Sequence, residues 1–292
     1  MEESEIERIR QIGDPAERAR VVGREQSRLS GLIDELAGIR REAIDEMLRT
    51  GFSQSDIARE LGVTRSRLNK LVTTGPGPER ALLVPKPRAG ALLTVAVVEK
   101  PESTRARPSV LVTTQAAVTK LERLARDMGL ETEVDTVAEG VGYIDLNRDN
   151  LAVLVGPRIS PLIAQAITAD PAIKWRRAGD TANWLIVDTR TGVEYRSDFD
   201  EKEASSDEPR TCYAHIGRIR RPDGEGGFLY LGGVHGAGTA GAVDYFVSNV
   251  AALWEQSHRN LWSAVVKTTA TAKGEEILTA ELVTPVYVHT KR

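Results

Sequence analysis

Residues 228–246, "FLYLGGVHGAGTAGAVDYF", run from an apolar segment through a glycine-rich turn into a helical pattern. That order is the signature of a buried strand feeding a helix, so the stretch predicts an α/β unit. At such a junction glycines leave backbone N–H groups open to a phosphate, and the helix start adds about half a positive charge. Gly233, Gly236 and Gly238 fit that chemistry, with the Thr239 hydroxyl and the His235 imidazole beside them. The spacing Gly236-x-Gly238-x-x-Gly241 also matches a dinucleotide fingerprint, which requires a carboxylate about 20 residues on to hold a ribose. The sequence there, "HRNLW" at 258–262, has none. Two readings remain open: glycines that seat a helix tightly on a sheet, and a phosphate site without hydride chemistry.

Working outward, "NLAVLVGPRIS" (150–160) repeats the strand–turn–helix order, with Gly156 in the turn and Arg158 and Ser160 at the helix start. If the two strands are neighbours, both loops face one crevice at the carboxyl ends of the sheet, where open α/β sheets bind ligands. Asn150, Gly156, Arg158, Ser160, Gly233, His235, Gly236, Gly238 and Thr239 are therefore the candidate ligand contacts. Further strands are expected at 91–100, 131–137, 173–179, 183–189, 213–221 and in a terminal hairpin turning at Lys273-Gly274. An amphipathic helix is expected over 113–130. Two strand–helix units imply parallel pairing, and the run of strands from 172 to 232 implies antiparallel pairing, so the sheet is expected to be mixed.

Before residue 73 the composition changes to Arg, Glu, Leu and Ile at helical spacing. Asp14-Pro15 starts a long amphipathic helix whose apolar positions run from Val22 through Leu29, Leu32, Ile33, Leu36 and Ile39 to Leu48, with Gly51 as its stop. Then "SQSDIARELGVTRSRLNKLV" (53–72) reads as two short helices capped by Ser53 and Thr64 and joined at Gly62, with Ile57, Ala58, Leu61, Val63, Leu68 and Leu71 as shared core. This stretch resembles the helix-turn-helix of bacterial transcription regulators and the promoter-reading region of sigma factors. The resemblance implies double-stranded DNA as partner, the second helix entering the major groove. Thr64, Arg65, Ser66, Arg67, Asn69 and Lys70 are the matching DNA contacts, Arg suiting guanine and Asn adenine. The module is close to neutral, so the expected DNA-binding form is a homodimer, with the long helix as the pairing surface.

The expectation is thus an α+β two-domain chain. An all-α helix-turn-helix module (1–73) is followed by a Pro/Gly linker (74–90) and a Rossmann-like α/β domain with a mixed sheet (91–292). The second domain is similar to the Rossmann-like sensor domains that bacteria attach to helix-turn-helix or immunity effector modules, which implies a nucleotide-like or phosphorylated small-molecule ligand. The formal net charge of −3 excludes a globally basic nucleic-acid binder. A single cysteine, Cys212, excludes an internal disulfide and fits a reducing, cytoplasmic setting. No apolar run reaches the ~20 residues of a membrane span, and no His, Cys or carboxylate spacing marks a metal site. The resulting expectation is a ligand-responsive transcriptional regulator. A nucleotide-processing hydrolase or NAD-consuming effector, and a non-catalytic protein-interaction adaptor, are the alternatives.

Overall fold

A computed structural model describes residues 3–73, 77–85, 92–101, 108–109, 112–138, 143–179, 183–200 and 207–289. Internal contacts divide the chain into two units, 1–78 with 86–91 and 79–85 with 92–292. The expected linker, 74–90, is therefore corrected at 79–85: Leu82, Leu83 and Val84 are each 1% exposed and belong to the second unit. Apolar burial outweighs the prolines there, and residues 74–76 and 86–90 lie outside those described.

The first unit contains α1 (Glu3–Arg10), α2 (Pro15–Arg49), α3 (Gln54–Glu60) and α4 (Arg65–Thr73). Asp14 caps α2 by accepting from Ala16 N–H at 3.0 Å, with Pro15 in the first turn, where its missing N–H costs nothing. Ser53 caps α3: its Oγ accepts from Asp56 N–H (3.2 Å) and donates to the Asp56 carboxylate (2.5 Å). That second bond holds the exposed Asp56 carboxyl below its ordinary range. Between α3 and α4, Gly62 adopts φ +63°, a conformation that a side chain would strain. Ile44, Ile57, Ala58 and Leu68 form the buried core, with Met47, Val63 and Leu71 against it. Leu61, expected in that core, is 39% exposed because α3 has already ended and Gly62 turns the chain away.

The second unit opens with α5 (Arg80–Leu83), then β1 (Leu92–Pro101), β2 (Pro108–Ser109), α6 (Val112–Asp127), β3 (Glu131–Ala138), β4 (Leu151–Val153) and α7 (Pro161–Ala166). It continues through β5 (Ile173–Arg177), β6 (Trp184–Asp188), β7 (Glu194–Tyr195), β8 (Arg210–Arg220) and β9 (Gly227–Gly233). It closes with α8 (Gly236–Ser257), β10 (Leu261–Ala270), β11 (Ile277–Leu282) and β12 (Tyr287–His289). The main sheet runs β3-β1-β4-β9-β8-β10-β11, with β12 beside the start of β10 and β2 on the end of β1. From β3 to β9 the pairing is parallel (Val95↔Val134, Thr94↔Leu151, Ala152↔Leu229); from β9 onward it is antiparallel (Ala214↔Gly233, Val265↔His215). The fold is thus α+β with a mixed sheet.

Strand alternation decides the two faces. Phe228 and Tyr230 on β9 meet Val153 and Val155, Ile163 of α7 and Ile167 of the 3-10 turn after it in one buried cluster. Gly233 lies three positions from Tyr230, hence on the opposite face, and meets the first turn of α8. α6 turns the buried Val118, Leu121 and Ala125 inward, and its Lys120 Nζ reaches Asp244 Oδ1 on α8 at 2.5 Å.

The strand at 173–177, rather than joining the main sheet, forms a three-stranded antiparallel sheet with β6 and β7. Tyr287 on β12 ties that sheet down by donating to Asp188 Oδ2 at 2.8 Å, and burial together with this bond pushes its phenol up to about 12. On β8, Arg218 donates to the carbonyls of Ala81 (3.2 Å), Leu82 (3.1 Å) and Gly227 (3.1 Å). Burial, with Arg259 nearby, pulls its guanidinium down to about 10. These bonds fasten α5 to the sheet.

Candidate functional site

The two glycine loops read from the sequence meet. β4 and β9 are parallel neighbours, so their carboxyl ends emerge side by side. A Cβ on Gly156 would stand 2.8 Å from Gly233 O, and one on Gly233 would stand 2.2 Å from Thr239 N. Only glycine allows these backbones to come so close. The result is a crevice of about 240 Å³ lined by Leu154, Gly156, Arg158 and Ile159 from one loop, Gly233 to Gly236 and Thr239 from the other, and Thr114 from α6.

Its walls divide by chemistry. Leu154, Ile159 and Val234 form the apolar part. The first intrahelical bond of α8 is Thr239 N–H to His235 O at 3.1 Å, and the N-cap His235 makes no side-chain capping bond. The helix start, which has no side-chain cap, therefore brings N–H donors to the crevice, with the positive end of the helix behind them. Thr239 Oγ1 accepts from Gly233 N–H at 3.0 Å and locks the turn. Thr114, 8% exposed, has no hydrogen-bond partner among the described residues. Arg158 is exposed at the rim and carries no ion pair among them.

One functional group was absent from the sequence reading. His235 Nε2 lies 2.8 Å from Asp200 Oδ1, the carboxylate coming from the 3-10 turn Asp198–Asp200. Phe199 of the same turn packs beside the ring, 6.0 Å between centroids. The only signal was the acidic run "SDFDEKEASSDEPR" (197–210), which composition alone marks as a solvated excursion; its residues 201–206 lie outside those described.

Three expected contacts are corrected. Asn150 precedes β4 and so stands at the opposite, amino end of the strand, roughly 20 Å of extended chain from Gly156. It is buried there with φ +56°, a conformation asparagine tolerates, and its carbonyl accepts from Thr94 N–H. Ser160 caps α7 by accepting from Ile163 N–H at 3.4 Å and does not line the crevice. Gly238 lies beneath the helix: a Cβ there would be 2.7 Å from Tyr213 O and 2.8 Å from Cys212 Sγ, so that glycine seats α8 on β8. The dinucleotide geometry is also missing, since β10, the strand after α8, is separated from β9 by the antiparallel β8.

A second polar cluster is closed to solvent. Trp175 Nε1–H donates to His215 Nδ1 (3.2 Å), and His215 Nε2 faces Asp170 Oδ2 (3.0 Å). The indole N–H can only donate, so the ring carries its proton on Nε2 and donates it to Asp170. Asp170 also accepts from the N–H groups of Ala172 and Ile173, with His289 Nε2 3.7 Å away and hydrogen-bonded to Ser263. Burial works to raise the Asp170 pKa. The bonds from His215, His289 and the backbone outweigh it and hold the carboxyl well below the usual range. The cluster is glue between strands.

In the helical unit, Thr64 Oγ1 accepts from Arg67 N–H at 3.2 Å and starts α4. Thr64, Arg65, Ser66, Arg67, Asn69 and Lys70 are all exposed, while Leu68 among them points into the core. Among the described residues no three His, Cys, Asp or Glu side chains converge as a metal site would need, and no helix is long and apolar enough to cross a membrane. No family model, curated protein or solved structure matches the chain.

Proposed function

We propose that this protein is a ligand-responsive, dimeric DNA-binding regulator whose crevice takes a phosphorylated or nucleotide-like small molecule. The observation that carries the ligand half is the crevice itself: N–H donors of α8, the unpartnered Thr114 hydroxyl and Arg158 converge beside an apolar wall. Donors without acceptors, at the positive end of a helix, suit an anion. The DNA half rests on α3 and α4, read as a helix-turn-helix whose second helix would offer Arg65, Ser66, Arg67, Asn69 and Lys70, with the capping Thr64, to a major groove.

Dimerisation rests on α2. Leu29, Leu32, Leu36, Ile39 and Ala43 follow a strict 3-4 repeat, the seam of a coiled coil. Leu32, Leu36 and Ile39 are 38%, 65% and 48% exposed, as is the adjoining Ile33 at 65%. A 35-residue helix is ~52 Å long and ~10 Å wide, so pairing two copies covers roughly 1,000 Å², enough for a specific interface. Leu36→Glu is expected to convert a dimer to monomers in sedimentation equilibrium. A wild-type chain that is already monomeric at tens of micromolar removes this surface from the proposal.

For the DNA face, Arg65→Ala and Arg67→Ala should each weaken binding to a selected duplex by about 1–3 kcal/mol. Unchanged affinity in both variants would show that α4 does not read bases. The whole proposal is tested by titrating inorganic phosphate and nucleotides into the full chain while following unfolding temperature and duplex affinity. A ligand at a hundred times its dissociation constant adds about 2.7 kcal/mol to stability. Duplex affinity that is identical with and without a bound ligand would sink the regulatory coupling.

A further inference from the structure

Among the described residues, the polar side chains that open on the crevice can donate hydrogens, and one stands apart. The N–H of Gly236 at the start of α8, the guanidinium of Arg158 and the hydroxyl of Thr114, a residue 8% exposed and unpartnered among the described residues, can all offer hydrogens. His235 differs. Its Nε2 is held by Asp200 Oδ1 at 2.8 Å, and an ionised carboxylate only accepts, so the ring proton sits on Nε2 and Nδ1 carries a lone pair. That lone pair is not used for capping, because His235 makes no side-chain bond to its own helix. A fully ionised phosphoryl group has no hydrogen to give it. A site that only held an anion would gain nothing from an acceptor here, whereas a site that activates a hydroxyl beside the anion requires one.

We propose that the crevice hydrolyses a phosphate ester, with His235 as general base and Asp200 as its positioning residue. The inference rests on the anion reading of the same crevice. The phosphoryl oxygens lie against the N–H groups of α8, Arg158 and Thr114, and the organic group of the ester lies on Leu154, Ile159 and Val234. Water attacks phosphorus: its oxygen forms a new P–O bond while the P–O bond to the leaving group breaks. His235 Nδ1 takes the water proton and releases it to solvent, while the leaving oxygen, on the far side of the in-line displacement, takes a proton from solvent, so protons balance and nothing is oxidised or reduced. Donors aimed at the phosphoryl group stabilise the charge that shifts in the transition state.

The test uses the full-length chain with two probes, p-nitrophenyl phosphate for turnover and inorganic phosphate for binding by calorimetry. The expected result is turnover that His235→Asn lowers by about 10²–10⁴-fold, with phosphate affinity and unfolding temperature essentially unchanged. Asp200→Asn should lower kcat while leaving KM close to the native value, a split that a merely structural role would not produce. If phosphate binds and the ester is not turned over, or if His235→Asn turns over as fast as the native chain, the hydrolytic inference is overturned and the binding reading stands. If phosphate does not bind, both fail together.

Discussion

Replacing Asp170 by alanine is expected to destabilise the α/β unit by about 3–5 kcal/mol, the usual cost of removing one partner from a buried polar pair. The carboxylate is 2% exposed and accepts from three groups at once, His215 and the N–H groups of Ala172 and Ile173, with His289 3.7 Å away. Alanine leaves the His215 ring buried with its Nε2–H unmatched, and each orphaned group adds its own desolvation cost. Asp170→Asn keeps an oxygen for the backbone N–H groups and removes the charge, so it should cost less. Urea unfolding followed by tryptophan fluorescence measures both. A loss below about 1 kcal/mol for the alanine variant would show that the cluster does not bind the strands together.

The same residue sets a pH dependence. The folded pKa of Asp170 lies below its unfolded value, near 3.8, so the native state binds fewer protons in that range. Its contribution is therefore complete above pH ~4 and is lost as pH falls toward the folded pKa. The native chain should lose stability on acidification below pH ~4, and Asp170→Ala should show a shallower slope over the same window.

Gly233→Ala is the second large effect, about 3 kcal/mol or more, because overpacking against backbone has no side chain to yield. Its Cβ would stand 2.2 Å from Thr239 N and 2.4 Å from Gly238 C, both in the first turn of α8. Relief requires lifting the helix off the sheet, which also opens the crevice. Thermal unfolding and phosphate binding should fall together. The same substitution at Gly23 has the opposite sign. Its Cβ meets nothing within 4 Å on α2, and a helix interior gains about 0.5–1 kcal/mol from Ala over Gly. A Gly233→Ala variant as stable as the native chain would mean that the two loops are looser than their geometry.

How much of the site was legible depends on the range of the interaction that makes it. Gly156, Arg158, Gly233, His235, Gly236 and Thr239 were readable as positions lining one crevice because each sits in a strand–turn–helix junction that its neighbours specify. The capping roles of Ser53 and Thr64 were readable for the same reason. Asn150 was misassigned because a strand's sequence does not say which of its ends meets the ligand. Ser160 and Gly238 were misassigned because a cap and a packing contact use the same residue types as a phosphate cradle.

By itself the sequence determined the strands and helices, their caps and turns, the mixed character of the sheet, and the glycines where backbones must touch. These follow from φ/ψ sterics, apolar period and hydrogen bonds reaching only a few residues. Tertiary structure alone decided that β8 separates β9 from β10, that 173–177 leaves the main sheet, and that residues 79–85 are fastened by Arg218. It alone paired His235 with Asp200 across 35 residues and His215 with Asp170 across 45. Partners so far apart are chosen by burial of the whole chain, which brings a polar group to whichever neighbour can satisfy it once water is gone.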